Sequence, residues 1–377
     1  MTISFFNYVE RYKSLPDRLP ELIEAHCAKG QFILKDSVVS FEKAIAEYLQ
    51  LHNSTQKAVH CAAVSSASMG MVIALKALGI GPGDEVITPA YSYVSTASAI
   101  VSVGATPIFV DVNKNDFMLN SETVLCKITS RTKAVIAVHL YRQVMDVAAL
   151  KSKLPASISI VEDSATCLGG SVNGTPTGLI GDVGVYSFFP AKPLGGLGDA
   201  GMLVTHDKLL HRKCAMYRNH GQDGQVRFTH FVLGYNSRMD DINAAYLMQK
   251  LTKLEEQNQR RNAIVEQYDA VIDRLGWRRQ QSDISLGDVK NVPYSYVLLT
   301  ESPQALADHL RREGIESKRG FPDPLPDQPA FADWRKIDDD FPNSQTIAQQ
   351  AIALPIYPEL TDTQVESVVI ALQSYKG

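Results

Sequence analysis

Seven short stretches of this chain are apolar throughout rather than alternately apolar and polar. They are 58–64 (AVHCAAV), 85–89 (EVITP), 106–112 (TPIFVDV), 133–140 (KAVIAVHL), 158–163 (ISIVED), 183–189 (VGVYSFF) and 201–206 (GMLVTH). A strand with one face in water alternates, and a strand covered on both faces does not. Helical stretches separate the runs, so the pattern predicts a mainly parallel α/β sheet with helices on both sides. Residues 37–49 put Val38, Phe41, Ile45 and Tyr48 on one helical face. A long helical pattern covers 239–275, with Gly276 as its stop. Beyond it, 293–299 (PYSYVLL) reads as a strand and 306–314 (LADHLRREG) as a helix, before a proline-rich loop and two more helices. We expect a large domain with an N-terminal helical segment over 1–240, a connecting helix over 241–276, and a small C-terminal α/β domain over 277–377.

Composition narrows the function classes. The 377 residues carry 37 basic and 41 acidic side chains, a net charge of −4, which is not the balance of a nucleic-acid binder. With 45% hydrophobic residues there is ample apolar surface to bury, which excludes a disordered chain. The five cysteines (27, 61, 126, 167, 214) are odd in number and show no CxxC spacing, against a disulfide framework or a zinc site. Charge arrives by Glu10 without a long apolar stretch, against a signal peptide. No window approaches ~18 unbroken apolar residues. We expect no membrane contact and a cytoplasmic location.

Three segments could carry chemistry. In the first, 64–89, a strand ends at Val64 and an apolar helix starts near Ala67, with Ser66 and Ser68 small enough for a ligand to approach the backbone. Free N–H groups at a helix start, with hydroxyls, suit an anion. Taken alone, simple N-capping by Ser66 is the better explanation. In the second, Glu162 and Asp163 end an apolar strand, where open α/β sheets put ligands. A carboxylate there could pair with a cationic ring nitrogen, or merely cap a helix. In the third, Lys192 sits in a loop among small residues and glycines, either as an amine held for Schiff-base chemistry or as a surface charge. Gly196, Gly198 and Gly201 spell G-x-G-x-x-G, but a strand-like run follows the last glycine and a lysine loop precedes the first. A dinucleotide fingerprint needs the reverse order, which argues against a nicotinamide oxidoreductase.

Ordered blocks along nearly the whole chain resemble the pyridoxal-phosphate sugar aminotransferases of the DegT/DnrJ/StrS type. They include FILKDSVVSFEKAIAEY, ALGIGPGDEVITPAYSYVSTASAI, GATPIFVDV, VHLY, VEDSATC, YSFFPAK, RNHG, LGYNSRMDDINAAY and LPIYPELTDTQ. The resemblance implies an aspartate-aminotransferase-like (type I) fold, pyridoxal 5'-phosphate as cofactor, and a homodimer with shared active sites. It implies that Lys192 is the Schiff-base lysine and that Asp163 pairs with the pyridinium nitrogen. It puts Tyr93 on the cofactor ring, Ala67, Ser68 and Ser187 at its phosphate, and Asn236 at the phosphate across the dimer. Thr166 stands where the family has a glutamine that touches the ring hydroxyl.

Other departures touch the substrate side. Ser66-Ala67-Ser68 replaces S-G-T, Pro193 replaces an asparagine, and Arg142 replaces the glycine of H-L-Y-G. The family's H-Y-P-x-P-x-H reads Gly320 to Pro326, without either histidine or the tyrosine hydroxyl. The implied reaction moves an amino group from glutamate, or glutamine, to a ketone of a nucleotide-linked hexose. The FPDPLPDQPAF spacing favours a 3-keto acceptor over a 4-keto sugar or a keto-cyclitol. A related sugar dehydratase carries histidine in place of the lysine, so Lys192 argues against it. A non-catalytic protein on the same fold would not need Lys192, Asp163 and Ser187.

Overall fold

The computed structural model describes residues 2–13, 19–226, 228–281 and 287–376. All seven apolar runs join one sheet: β1 (His60–Val64), β2 (Glu85–Pro89), β3 (Thr106–Val110), β4 (Thr132–Val138), β5 (Ser159–Asp163), β6 (Val183–Ser187) and β7 (Gly201–Thr205). Their order is β1-β7-β6-β5-β4-β2-β3. The five strands from β6 to β3 pair in parallel, and β7 runs antiparallel between β1 and β6. Almost every strand residue is buried, which is why the runs show no alternation.

The helices that place the site are α1 (Tyr8–Lys13), α2 (Asp36–Leu51), α3 (Ala67–Ala77), α4 (Ser95–Ser102), α5 (Asp241–Leu251) and α6 (Leu254–Arg274). On α2 the buried stripe is Val38, Phe41, Ile45 and Leu49. Tyr48 is at the stripe's edge instead, half-buried, because its hydroxyl needs a partner and finds the Glu255 carboxylate. The helical pattern over 239–275 resolves into two helices rather than one. The break falls at Thr252 and Lys253, where the Thr252 hydroxyl donates to the Gln249 carbonyl (2.7 Å) in place of a continuing ladder. Gly276, at φ +66°, closes α6 in the left-handed conformation that a stop position favours.

A second, antiparallel sheet is built from β8 (Arg278–Arg279), β9 (Tyr296–Leu299), β10 (Lys318–Arg319) and β11 (Ala351–Leu354), ordered β8-β9-β11-β10. It shares a core with α6 and the last helix, through Tyr268, Tyr296, Leu298, Ile352 and Val368. The chain's first residues join this unit: Ile3 bridges Ile315 in parallel. Among the described residues no helix is long and apolar enough to cross a membrane, and no cluster of His, Cys, Asp or Glu could hold a metal ion.

One glycine decides how the middle of the sheet closes. Gly184 on β6 lies opposite Glu162 on β5, and a Cβ there would fall 2.2 Å from the Cα of Gly178. The obstacle is backbone, which cannot rotate away. Gly184→Ala is therefore expected to cost at least about 3 kcal/mol, read as loss of soluble protein or as a lowered urea midpoint.

Candidate active site

The carboxyl ends of β1, β4, β5 and β6 converge on one edge of the sheet, the edge where open α/β sheets bind ligands. A cavity of about 530 Å³ opens there. Ala67, Ser68, Tyr93, Asp163, Thr166, Ser187 and Lys192 all line it. Asn236 does not: it is exposed, and its Oδ1 accepts from Arg238 Nε (3.0 Å).

The floor of the cavity is the end of β5. Side chains alternate along a strand, so Glu162 and Asp163 face opposite ways. Glu162 is fully buried and well satisfied. It accepts from the backbone N–H groups of Gly178 (2.8 Å), Ile180 (2.7 Å) and Gly181 (2.5 Å), and from His139 Nε2 (3.0 Å). Met145 N–H donates to His139 Nδ1 (3.0 Å), so the ring proton sits on Nε2 and the imidazole is fixed beneath the cavity. Asp163 is 6% exposed, and a single hydrogen bond is found for it among the described residues, from Ala165 N–H (3.1 Å). Burial pushes its carboxyl above the ordinary aspartate value, against the pull of the Ala165 N–H, Lys192 and His139.

Lys192 comes from the loop after β6. The loop is tight: a Cβ at Gly195 would meet the Pro190 carbonyl oxygen at 2.0 Å. Lys192 Nζ lies 4.1 Å from the centre of the Tyr294 ring, so the amine sits over an aromatic face in the cavity wall. The opposite wall is the start of α3. The Ser66 side chain accepts from Met69 N–H (3.2 Å), so its capping role holds, and the Ser68 and Ser95 hydroxyls meet at 2.6 Å. Gly201 lets β7 pass beside this turn, since a Cβ there would lie 2.7 Å from Ala67 N. Ser92 Oγ, buried in the cavity wall, has no hydrogen-bond partner among the described residues.

The departures from the family pattern have local explanations. Arg142 does not enter the cavity. It is buried, its Nη1 donates to both Asp269 oxygens (2.9 and 3.0 Å) and its Nη2 to the Gln280 carbonyl (2.7 Å). Thr166 turns its hydroxyl to the His139 carbonyl (3.1 Å). Gly320 lines the cavity, and a Cβ there would fall 2.7 Å from the Tyr91 hydroxyl, so a histidine does not fit. Tyr91 and Tyr141 share a hydrogen bond (2.8 Å), and Phe321 stacks on Tyr141 at 5.8 Å. Pro326 is buried in a short 3-10 turn over Leu325–Asp327 and does not line the cavity. Sequence reasoning missed Phe5, Tyr294 and Lys318 as wall residues. Phe5 and Tyr294 lie away from the motifs, Lys318 lies two residues before the Gly320 loop, and no local pattern announces any of the three.

Two predictions follow from these environments. Removing Arg142 strips Asp269 of a buried partner but leaves Arg279 beside it (3.2 Å). Arg142→Gly is expected to lower stability by about 2 kcal/mol, read by urea unfolding, with the Lys192 chemistry intact. For Asp163, the folded-state pKa is raised above the unfolded one, so its ionisation opposes folding: the protonated acid costs nothing below the unfolded value, and the penalty grows as pH rises and is complete above the folded value. Cofactor-free Asp163→Asn should therefore melt above the cofactor-free parent at neutral pH, and the two should converge on acidification below the ordinary aspartate range.

Comparisons with known proteins show which family the chain belongs to. Residues 16–373 match the DegT/DnrJ/EryC1/StrS aminotransferase family. The chain is 33% identical to a pleiotropic regulatory protein of Geobacillus stearothermophilus over 370 residues, covering 98% of this chain and 97% of that one. It is 31% identical to the UDP-2-acetamido-2-deoxy-3-oxo-D-glucuronate aminotransferase of Pseudomonas aeruginosa, covering 98% and 99%. Its structure superposes on S. venezuelae DesV, solved in complex with a ketimine intermediate, with a TM-score of 0.92 at 31% identity, covering 99% and 98%. Fold, cavity and sequence agree, and the chain belongs to the DegT/DnrJ/EryC1/StrS aminotransferase family.

Proposed function

We propose that this protein is a pyridoxal-phosphate-dependent aminotransferase that moves an amino group from glutamate (or glutamine) to a keto group of a nucleotide-linked sugar. The acceptor we favour is a 3-keto hexose. A single observation carries the reading: the Lys192 amine and the buried Asp163 carboxylate line one cavity together with a helix start and serine hydroxyls. The 3-keto preference rests on the spacing of the loop after Gly320 and on the 3-oxo sugar in the name of the Pseudomonas relative. We take the chain as a large unit over 1–240, connecting helices over 241–276 and a small unit over 277–377. All five cysteines are free thiols, the form that a reducing cytoplasm keeps.

The residues fit the cofactor. Asp163 has one N–H partner and room for a cation, Ser92 has an unpartnered hydroxyl, and the start of α3 offers free N–H groups to a phosphate. Lys192 would hold the cofactor covalently, Asp163 its ring nitrogen, Ala67, Ser68 and Ser187 its phosphate, and Tyr93 the face of its ring. With the Thr166 hydroxyl donated to the His139 carbonyl, a water would bridge Thr166 to the cofactor's ring hydroxyl. When bound, pyridoxal phosphate supplies an electron sink that lets a substrate carbon lose its proton. Lys192, as a free amine, would carry that proton between the substrate carbon and the cofactor's imine carbon, a role that requires a deprotonated amine near neutral pH. The negative charge of Asp163 keeps the ring nitrogen protonated. Tyr91, Tyr141 and Phe321 keep water from this end of the cavity.

A homodimer completes the site. Tyr93 and Phe189 line the cavity yet are largely exposed, as are Val94, Leu197, Phe231 and Leu233. We read these exposed apolar side chains as the surface that a second copy covers. The segment with Phe231 and Leu233 leads to Asn236, which would reach the phosphate bound by a second copy.

The test is chemical. Borohydride treatment of the loaded protein should fix the cofactor on Lys192, read by peptide mass spectrometry, and the product formed from a keto sugar and glutamate should contain nitrogen. Lys192→Ala should lose turnover by about 10²–10⁴-fold or more. A colourless protein that gains no spectrum with pyridoxal phosphate, or a deoxy product without nitrogen, would overturn the reading. Asn236→Ala should weaken cofactor retention, and full activity in a dilute monomer would contradict the shared site.

A further inference from the structure

The first residues of the chain cross from the small sheet to the lysine loop. Ile3 N–H donates to the Gly314 carbonyl (2.8 Å), and Phe5 N–H to Glu316 Oε2 (2.9 Å). The Phe5 side chain then forms part of the cavity wall, with Lys318 Nζ 4.9 Å over its ring. One turn further on, α1 brings Arg11 against the loop that carries Lys192. Arg11 is 3% exposed, and its Nη2 donates to the carbonyl oxygens of Lys192 (2.7 Å) and Pro193 (2.8 Å). The guanidinium lies 5.4 Å from the centre of the Phe6 ring, and Glu359 supplies opposite charge nearby.

Among the described residues, the bonds nearest Lys192 act on the loop's N–H groups, and Asn243 Nδ2 also donates to the Asp199 carbonyl further along (3.3 Å). Lys192 N–H donates to the Phe189 carbonyl (2.8 Å), Gly196 N–H to the Phe188 carbonyl (2.8 Å), and Leu197 N–H to Asn243 Oδ1 (3.0 Å). The carbonyls of Lys192 and Pro193 are held by Arg11. A guanidinium is taken out of water at high cost unless fixed acceptors meet it. Two carbonyls on consecutive residues, met by one planar nitrogen, fix the direction of the backbone from which the Lys192 side chain leaves.

We propose that Arg11 is a positioning residue for Lys192, and that the N-terminal segment is thereby a working part of the active site. The proposal rests on the reading of Lys192 as the amine that bonds the cofactor. Arg11 touches neither substrate nor cofactor; it acts through the loop backbone.

The experiment titrates the cofactor-free, full-length protein with pyridoxal phosphate. It follows the visible absorbance, the pH midpoint of that absorbance, and the yield of adduct fixed at Lys192 by borohydride, alongside a thermal melt. Arg11→Met keeps the length of the side chain without a donor. It should melt cooperatively, need at least about tenfold more pyridoxal phosphate for half-saturation, and show a displaced pH midpoint. Arg11→Lys, which retains one compact donor, should fall between Arg11→Met and the parent. An unchanged half-saturation and pH midpoint in Arg11→Met, even with a lowered melting temperature, would mark a merely structural arginine and overturn the proposal. If Arg11→Met does not fold, Arg11→Lys carries the test, and parental behaviour there overturns it. A parent that fixes no adduct at Lys192 overturns the functional reading and this proposal together. A labelled parent with an indifferent variant overturns this proposal alone.

Discussion

Two adjacent carboxylates end the central strand of the sheet, and both are buried. Burying one carboxylate is unfavourable unless hydrogen bonds or opposite charge replace its water. Glu162 meets that demand within the protein, through three N–H groups and a histidine. Asp163 does not: its one N–H leaves it under-satisfied, and its carboxyl is pushed toward the neutral form. The difference between these neighbours organises the site. The satisfied acid fixes the turn over Gly178–Gly181 and orients His139, which builds the floor. The under-satisfied acid lines the cavity, with Lys192 among the charges that favour its ionised form. An active site is where a structure tolerates such a deficit, because the ligand repairs it.

The rest of the sheet serves this arrangement. Gly184 removes the side chain that would keep the 178–181 turn off β5, so the donors for Glu162 depend on a glycine in the next strand. Tyr141 has a left-handed backbone (φ +58°), which is strained for an aromatic residue, and its carbonyl accepts from Tyr294 N–H (3.1 Å). That bond joins the loop after β4 to the segment carrying Tyr294, whose ring meets the lysine. Arg142, next in the chain, ties the same loop to α6 through Asp269. The loop after β4 is thus tied to α6 and to the Tyr294 segment by polar contacts, which fix one wall of the cavity.

Much of this was legible in the sequence, for physical reasons. Runs apolar throughout have no other stable home than a sheet covered on both faces, and all seven entered one sheet. A strand end and a glycine-lined loop made Asp163 and Lys192 candidates, each with a plain structural alternative; the family resemblance singled them out, and both line one cavity. The long helix was misread because a hydroxyl that breaks a ladder, as Thr252 does, looks like any polar surface residue. The stripe on α2 was misread at Tyr48 by one position, because an aromatic ring with a hydroxyl serves equally at the edge of a core. Phe5, Tyr294 and Lys318 were invisible: their place depends on tertiary contacts between segments far apart in the chain. Arg142 looked like an intruder in the substrate site, and only its partner, 127 positions away, shows that it turns outward.

The central claim is that the buried Asp163 carboxylate is matched to a protonated ring nitrogen within reach of Lys192. The direct measurement is the nitrogen-15 chemical shift of the ring nitrogen in protein loaded with isotopically labelled pyridoxal phosphate at neutral pH. The account predicts the shift of a protonated pyridine in the parent and of an unprotonated one in Asp163→Ala. An unprotonated nitrogen in the parent, or a shift indifferent to Asp163, would contradict it.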